Sequence, residues 1–234
     1  MIYISTPSVG AINVTIKPIG GTRTDWITRA VSNDDPWDFY TGTGRGDIIR
    51  NINTLNGVIN NSGYIIESQG LTYVSFRFNS TLRNCFGGTQ CNYHSGAYVS
   101  KGESAPGSRL RTATLTNISY DVNSGTGTAQ HFISILATED NTKVTLSDFP
   151  AGITFSNNDL SGAQTAPLVL PILNKDETYI IGYTPNETAS TPFREALIGA
   201  LITSEDNLGG TNPKPIVVVS GSVAGNLRNG NAGN

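Results

Sequence analysis

The residues that could first be asked to do chemistry are two copies of one acidic tripeptide, Glu139-Asp140-Asn141 and Glu205-Asp206-Asn207. Neighbouring carboxylates can hold calcium or divide acid and base work between them. Neither copy meets the geometry. A calcium loop needs oxygen ligands at alternate positions, as in D-x-D-x-D-G, and neither tripeptide continues that way. Adjacent Glu and Asp on an extended strand point to opposite faces and cannot converge on one substrate atom. Asp and Asn do tolerate positive φ and bond their own backbone. In "ILATEDNTKVTL" the tripeptide therefore reads as the corner between two strands.

The other chemical candidates are few. Nucleophilic catalysis needs a nucleophile, a base and an orienting group. The chain holds only His94 and His131 as histidine bases, and "VVVSGSVAG" lacks the spacing of a nucleophile elbow. Zinc would need two more Cys or His beside Cys85 and Cys91, and His94 is close in sequence while His131 is the only other histidine, so no metal and no cofactor are expected. Asp34, Asp35 and Asp38 surround Trp37, an arrangement common in sugar-binding clefts. Trp37, Asp38 and Tyr40 are the candidate ligand-binding residues, against the alternative of a loop whose Trp packs over a sheet edge. "GTGRGD" fails as a phosphate loop, because no Lys-Ser/Thr closes it and no helix follows. Its Arg45-Gly46-Asp47 copies a cell-attachment tripeptide, a match that arises easily by chance. Cys85 and Cys91 enclose the flexible "FGGTQ" and are expected to form a disulfide.

Strands must position all of this. Runs of four to eight apolar or alternating residues sit between clusters of Gly, Pro, Asn and Asp. They predict strands at 1–6, 12–19, 63–68, 71–78, 96–100, 110–115, 131–138, 143–148, 165–173, 177–183, 196–203 and 215–220. "PFREALIGAL", 192–201, is the best candidate for a helix, and it is short. The fold expected is all-β, with antiparallel sheets and little or no helix. "MIYISTPSVGAINVTIKPIGG" has the same strand-turn-strand shape as "FISILATEDNTKVTLSDFPAG". "GYIIESQGLTYVSFRFNS" likewise echoes "ALIGALITSEDN…PKPIVVVSGS". Two similar consecutive β units, 1–92 and 93–234, follow, arranged as propeller-like blades or a packed sandwich. The expected core includes Val74, Phe76, Ile133, Ile135, Val144, Leu146, Ile180, Val217 and Val219.

Composition narrows the partners. The chain has 234 residues, 14% charged, with a net charge of −3 and no basic run, which excludes a nucleic-acid footprint and a polybasic membrane site. No apolar run approaches the 18 residues or so of a spanning helix. "MIYISTP" has neither the basic nor the apolar region of a signal peptide. The expectation is a piece of a longer secreted chain, with flanking domains and a secretion signal outside it.

"IYISTPS…VTIKPIGGT" through "GYIIESQGLTYVSFRFNS", followed by "HFISILATEDNTKVTLSDFPAG" and "LITSEDNLGG…KPIVVVSGS", resembles the IgG Fc-binding protein N-terminal domain family. The nearer likeness is to its bacterial branch, large surface proteins of Bacteroidota associated with gliding motility. That resemblance implies an extracellular β domain with no catalytic residues to carry over. Members are usually longer, with a signal peptide and a C-terminal sorting domain. Antibody binding is not implied for a chain of the bacterial type. The expected function is a non-enzymatic cell-surface adhesion or interaction module binding an extracellular protein or glycan. The alternative is a carbohydrate-binding or carbohydrate-active β domain.

Overall fold

A computed structural model describes residues 1–40, 55, 57–60, 63–85, 89–100, 102–114, 131–183, 195–209 and 212–222, the side chains of 78–85, 89–99 and 222 excepted. The protein is all-β, its sheets antiparallel and none closed into a barrel. Its contacts divide the chain into two units. Unit one is Met1–Ile49 with Asn61–Ala105; unit two is Arg50–Asn60 with Pro106–Asn234.

Unit one contains β1 (Ile2–Ser5), β2 (Ile12–Pro18), β3 (Ile27–Val31), β4 (Trp37–Phe39), β5 (Tyr64–Ser68), β6 (Tyr73–Cys85) and β7 (Thr89–Val99). One sheet runs β4-β1-β6-β7 and the other β3-β2-β5. Strand alternation turns Ile2 and Ile4 of the first sheet, and Val14 and Ile16 of the second, to a shared interior. Trp37, Val31 and the flanking Phe39, Tyr64, Ile66, Val74 and Phe76 complete one core. Because both sheets feed that core, the unit is a sandwich and not a blade.

Unit two contains β8 (Arg109–Arg111), β9 (His131–Ala137), β10 (Thr142–Ser147), β11 (Ile153–Thr154), β12 (Ala163–Gln164), β13 (Leu168–Val169), β14 (Thr178–Tyr183), β15 (Leu201–Asp206) and β16 (Ile216–Ser222). Its sheets run β14-β9-β16 and β13-β10-β15-β8, with β11 and β12 paired apart. Strict alternation in β9 buries Ile133, Ile135 and Ala137, and in β10 Thr142, Val144 and Leu146. They meet Tyr179, Ile181, Leu170, Ile202 and Ile216 in a second sandwich core.

The two units repeat one six-strand plan. In unit one β1 pairs with β4 and β6, and β2 with β3 and β5. In unit two β9 pairs with β14 and β16, and β10 with β13 and β15. The register repeats as well. Val14 faces Ser68 and Ile16 faces Ile66, as Val144 faces Ser204 and Leu146 faces Ile202.

Several expectations need correction. Strands β3 and β4 fall where the sequence reads as loop: β3 is an edge strand exposed at four of five positions, and β4 has three residues. Residues 195–199 of the candidate helix form a turn, closed by Gly199 at φ 73°, and β15 follows at Leu201. In β14 the buried row is Tyr179, Ile181 and Tyr183, with Ile180 only half-buried. In β16 Ile216 is buried and Val218 packs on the core, whereas Val217 and Val219 stand on the other face. An uninterrupted apolar run does not declare its inward face, and a slip of one residue reverses it.

Candidate functional site

The two Glu-Asp-Asn copies meet at one end of unit two. Thr142 sits opposite Asp206, and the Asn207 N–H donates to the Asn141 carbonyl at 3.0 Å. Asn141 turns the chain at φ 55°, a left-handed conformation that Asn tolerates. The Thr142 hydroxyl donates to the Glu139 carbonyl at 2.7 Å, and the Lys175 N–H to the Asp140 carboxylate at 3.0 Å. Glu205 faces Lys143 across the strands at 2.8 Å. Asp206 lies 3.3 Å from Lys214, and its carboxyl is held below the ordinary range, chiefly by the Leu208 N–H. The Asp140, Glu205 and Asp206 carboxylates are each engaged by an amide or ammonium group of the protein itself. Among the described residues no three His, Cys, Asp or Glu side chains gather as a metal would require. The corners are structural joints, as their turn chemistry implies.

The opposite end of the sandwich differs between the units. In unit two the chain leaves β10 on a long excursion through β11 and β12 before it reaches β13. That excursion delivers Phe149, Ile153 and Phe155 into the core, and Leu55, Ala196, Leu197 and Ala200 are buried as well. The Asn157 amide tethers it, accepting from the Gly182 N–H at 2.9 Å and donating to the Ile180 carbonyl at 2.7 Å. The Tyr179 hydroxyl donates to Asp159 at 2.7 Å; burial, first, and this bond push the phenol well above its ordinary pKa.

In unit one the corresponding connection is a short 3-10 turn at Arg23–Asp25. It is closed by Thr22, whose N–H donates to the Asp25 carboxylate at 2.8 Å and lowers that group's pKa. Among the described residues nothing comparable to Phe149 or Phe155 enters. A cavity of about 370 Å³ remains, lined by Ile16, Ile19, Ile27, Phe39, Tyr64 and the turn itself. Phe39 stands edge-on to Trp37 at 5.8 Å and to Tyr64 at 5.6 Å. Beside the cavity Lys17 sits over the ring of Trp26 at 4.1 Å, and Lys17 also pairs with Glu67.

The structure does not bring the candidate ligand residues onto one surface. Trp37 is 6% exposed, its ring in the core, while Asp38 on the other face of β4 and Tyr40 just after the strand are exposed. Trp37 is thus neither the wall of a sugar cleft nor a loop residue. Asp35 pairs with Arg29 at 2.7 Å. His131 is buried at the start of β9, stacked on Tyr183 at 6.2 Å, and burial lowers its pKa. Cys85 and Cys91 belong to the β6–β7 hairpin, where Cys91 faces Leu82 and Cys85 faces Thr89. Their side chains, that of His94 and all of Arg45-Gly46-Asp47 lie outside the described residues. What sequence reasoning missed is the exposed Trp26 and the apolar mouth of unit one. Trp26 followed by β-type "ITRAV" was the available signal.

Fold and site together define an all-β protein of two units, each with two antiparallel sheets sharing one core. The chain belongs to the IgGFc binding protein family, whose model matches residues 105–234, more than half of its length. The family is one of binding modules and not a known family of enzymes. No curated protein and no solved structure gives a match. The matched stretch begins at the start of the main segment of unit two, so unit one repeats the strand plan outside it. Among the described residues no helix is long and apolar enough to cross a membrane.

Proposed function

We propose that the chain is a non-catalytic, extracellular interaction module of a larger bacterial surface protein, and that unit one carries the contact surface. The observation behind this reading is where large apolar side chains stay exposed. Trp26, Ile27, Tyr40, Ile65, Leu71 and Tyr73 belong to unit one, as does Val9; in unit two the exposed ones are Val169, Ile198 and Leu208. Exposed apolar side chains mark candidate protein contact sites, and seven of these ten lie in unit one among the described residues. Family membership supports an extracellular protein partner. The bacterial surface setting, adhesion in gliding cells and the flanking domains rest on the resemblance of the sequence motifs.

Immobilised protein exposed to extracellular proteins, IgG Fc among them, and to a glycan array tests the reading. Binding to a protein is expected, weakened at least tenfold by Trp26→Ala or Tyr73→Asp and unchanged by Leu208→Asp. Binding to glycans alone would replace this reading with the carbohydrate one.

A further inference from the structure

The repeated plan exposes one place where unit two has a strand and the described residues of unit one have none. In unit two β8 covers the outer edge of β15, with Leu201 opposite Arg111, Ile202 opposite Leu110 and Thr203 opposite Arg109. The Ser204 N–H donates to the Ser108 carbonyl at 3.0 Å, and the Thr112 N–H to the Ala200 carbonyl at 3.1 Å. Leu110 packs against the core there, and Ile202 is fully buried.

Strand β5 is the counterpart of β15, and among the described residues nothing pairs with its outer edge. The Gln69 N–H donates to the Asn13 carbonyl and the Ile19 N–H to the Gly63 carbonyl, so the odd positions of β5 serve β2. The backbone groups of Ile66 and Ser68 therefore point outward, as those of Ile202 and Ser204 do toward β8. Ile66 is only partly buried, as expected where no Leu110 covers it.

We propose that this edge of unit one accepts an extended segment of a partner protein, added antiparallel in the place β8 holds in unit two. The proposal rests on the reading of the chain as a protein-binding module and names how the partner is held. The repeated register specifies the ligand: an apolar residue opposite Ile66, in the place of Leu110, and a basic residue opposite Glu67, in the place of Arg109. Glu67 pairs with Lys17 of β2 yet its side chain is still 59% exposed, so a second cation opposite it across the strands is favourable. The same carboxylate argues against a second copy of β5 as the occupant. Antiparallel self-pairing centred on the free Ile66–Ser68 edge sets Glu67 against Glu67. Main-chain bonds supply affinity in this mode and alternate side chains supply selectivity.

The capped peptide PGSRLRTA, the sequence of residues 106–113, is the probe. Amide hydrogen exchange in the full chain is read by NMR with and without it. The expected result is at least tenfold slower exchange at Ile66 and Ser68, with the β15 amides unchanged. A peptide carrying aspartate in place of its leucine should give no protection. Ser68→Pro should abolish it while preserving the fold, because that N–H does not serve β2; the aspartate peptide keeps the test decisive if the proline variant unfolds. Absence of protection, changes confined to β15, or protection that appears without peptide and grows with protein concentration would each overturn the proposal. A protein partner found in the binding panel and indifferent to Ser68→Pro would remove the edge and leave the binding-module reading standing.

Discussion

Among the described residues, unit two closes its sandwich at one end and along one edge where unit one leaves both open. Its far end is plugged by the aromatic excursion after β10, and the outer edge of its second sheet carries β8. Unit one has the same six strands in the same order, a short turn in place of the excursion and no counterpart of β8 among the described residues. A shared plan can thus carry two tasks: one copy is filled in for stability, the other keeps apolar surface and backbone groups available. Unfilled apolar surface lowers stability, and it is also what recognition uses.

Truncation of equivalent core positions gives the largest expected contrast. Leu146→Ala should cost about 2–5 kcal/mol, measured by denaturant unfolding. Ile16→Ala should fall at or below the low end of that range, because Ile16 already borders the cavity and has fewer atoms to lose. Equal losses would mean that the mouth of unit one is packed as tightly as that of unit two.

Next is the β6–β7 hairpin of unit one, which has no counterpart among the described residues of unit two. A Cys85–Cys91 disulfide would close a loop of about seven residues and stabilise the unit by about 2 kcal/mol. Thiol titration of denatured, unreduced protein should find no reactive thiol, and finding two would remove the bond from the account.

At the corner of unit two, Asn141→Val should cost about 1–3 kcal/mol, since a β-branched residue resists φ 55°; Asn141→Gly should cost less. Thermal melting separates the two. The hydroxyl-tied loop of unit one, where Ser8 donates to the Gly10 carbonyl at 2.7 Å, has no such residue.

A pH scan distinguishes the units through His131. Its folded pKa lies below its ordinary value of 6.5 because burial disfavours the imidazolium. The unfolded chain binds the proton more tightly, so stability is complete above about 6.5 and declines as pH falls toward the folded pKa. His131→Phe should flatten that part of the melting profile. The smallest effect belongs to Glu205→Gln. The half-exposed Lys143 pair is worth at most about 1 kcal/mol, and calcium should leave the melting temperature unchanged in both proteins.

The sequence alone determined the all-β class, the position of most strands, and the turn role of Glu139-Asp140-Asn141. Alternation at Ile133, Ile135, Val144 and Leu146 requires one buried face, and Asp and Asn make their turn bonds locally. These properties live within a few residues, so they can be read there. Tertiary structure decided the rest. Which face of "IVVVS" turns inward depends on which sheet covers it. The exposed "ITRAV" becomes β3 only because β2 offers it backbone partners. Trp37 lies in the core, not in a cleft, because β1 holds β4 flat against it. That no described residue pairs with the outer edge of β5 is visible only beside its covered counterpart, since backbone pairing leaves no mark in a side-chain pattern.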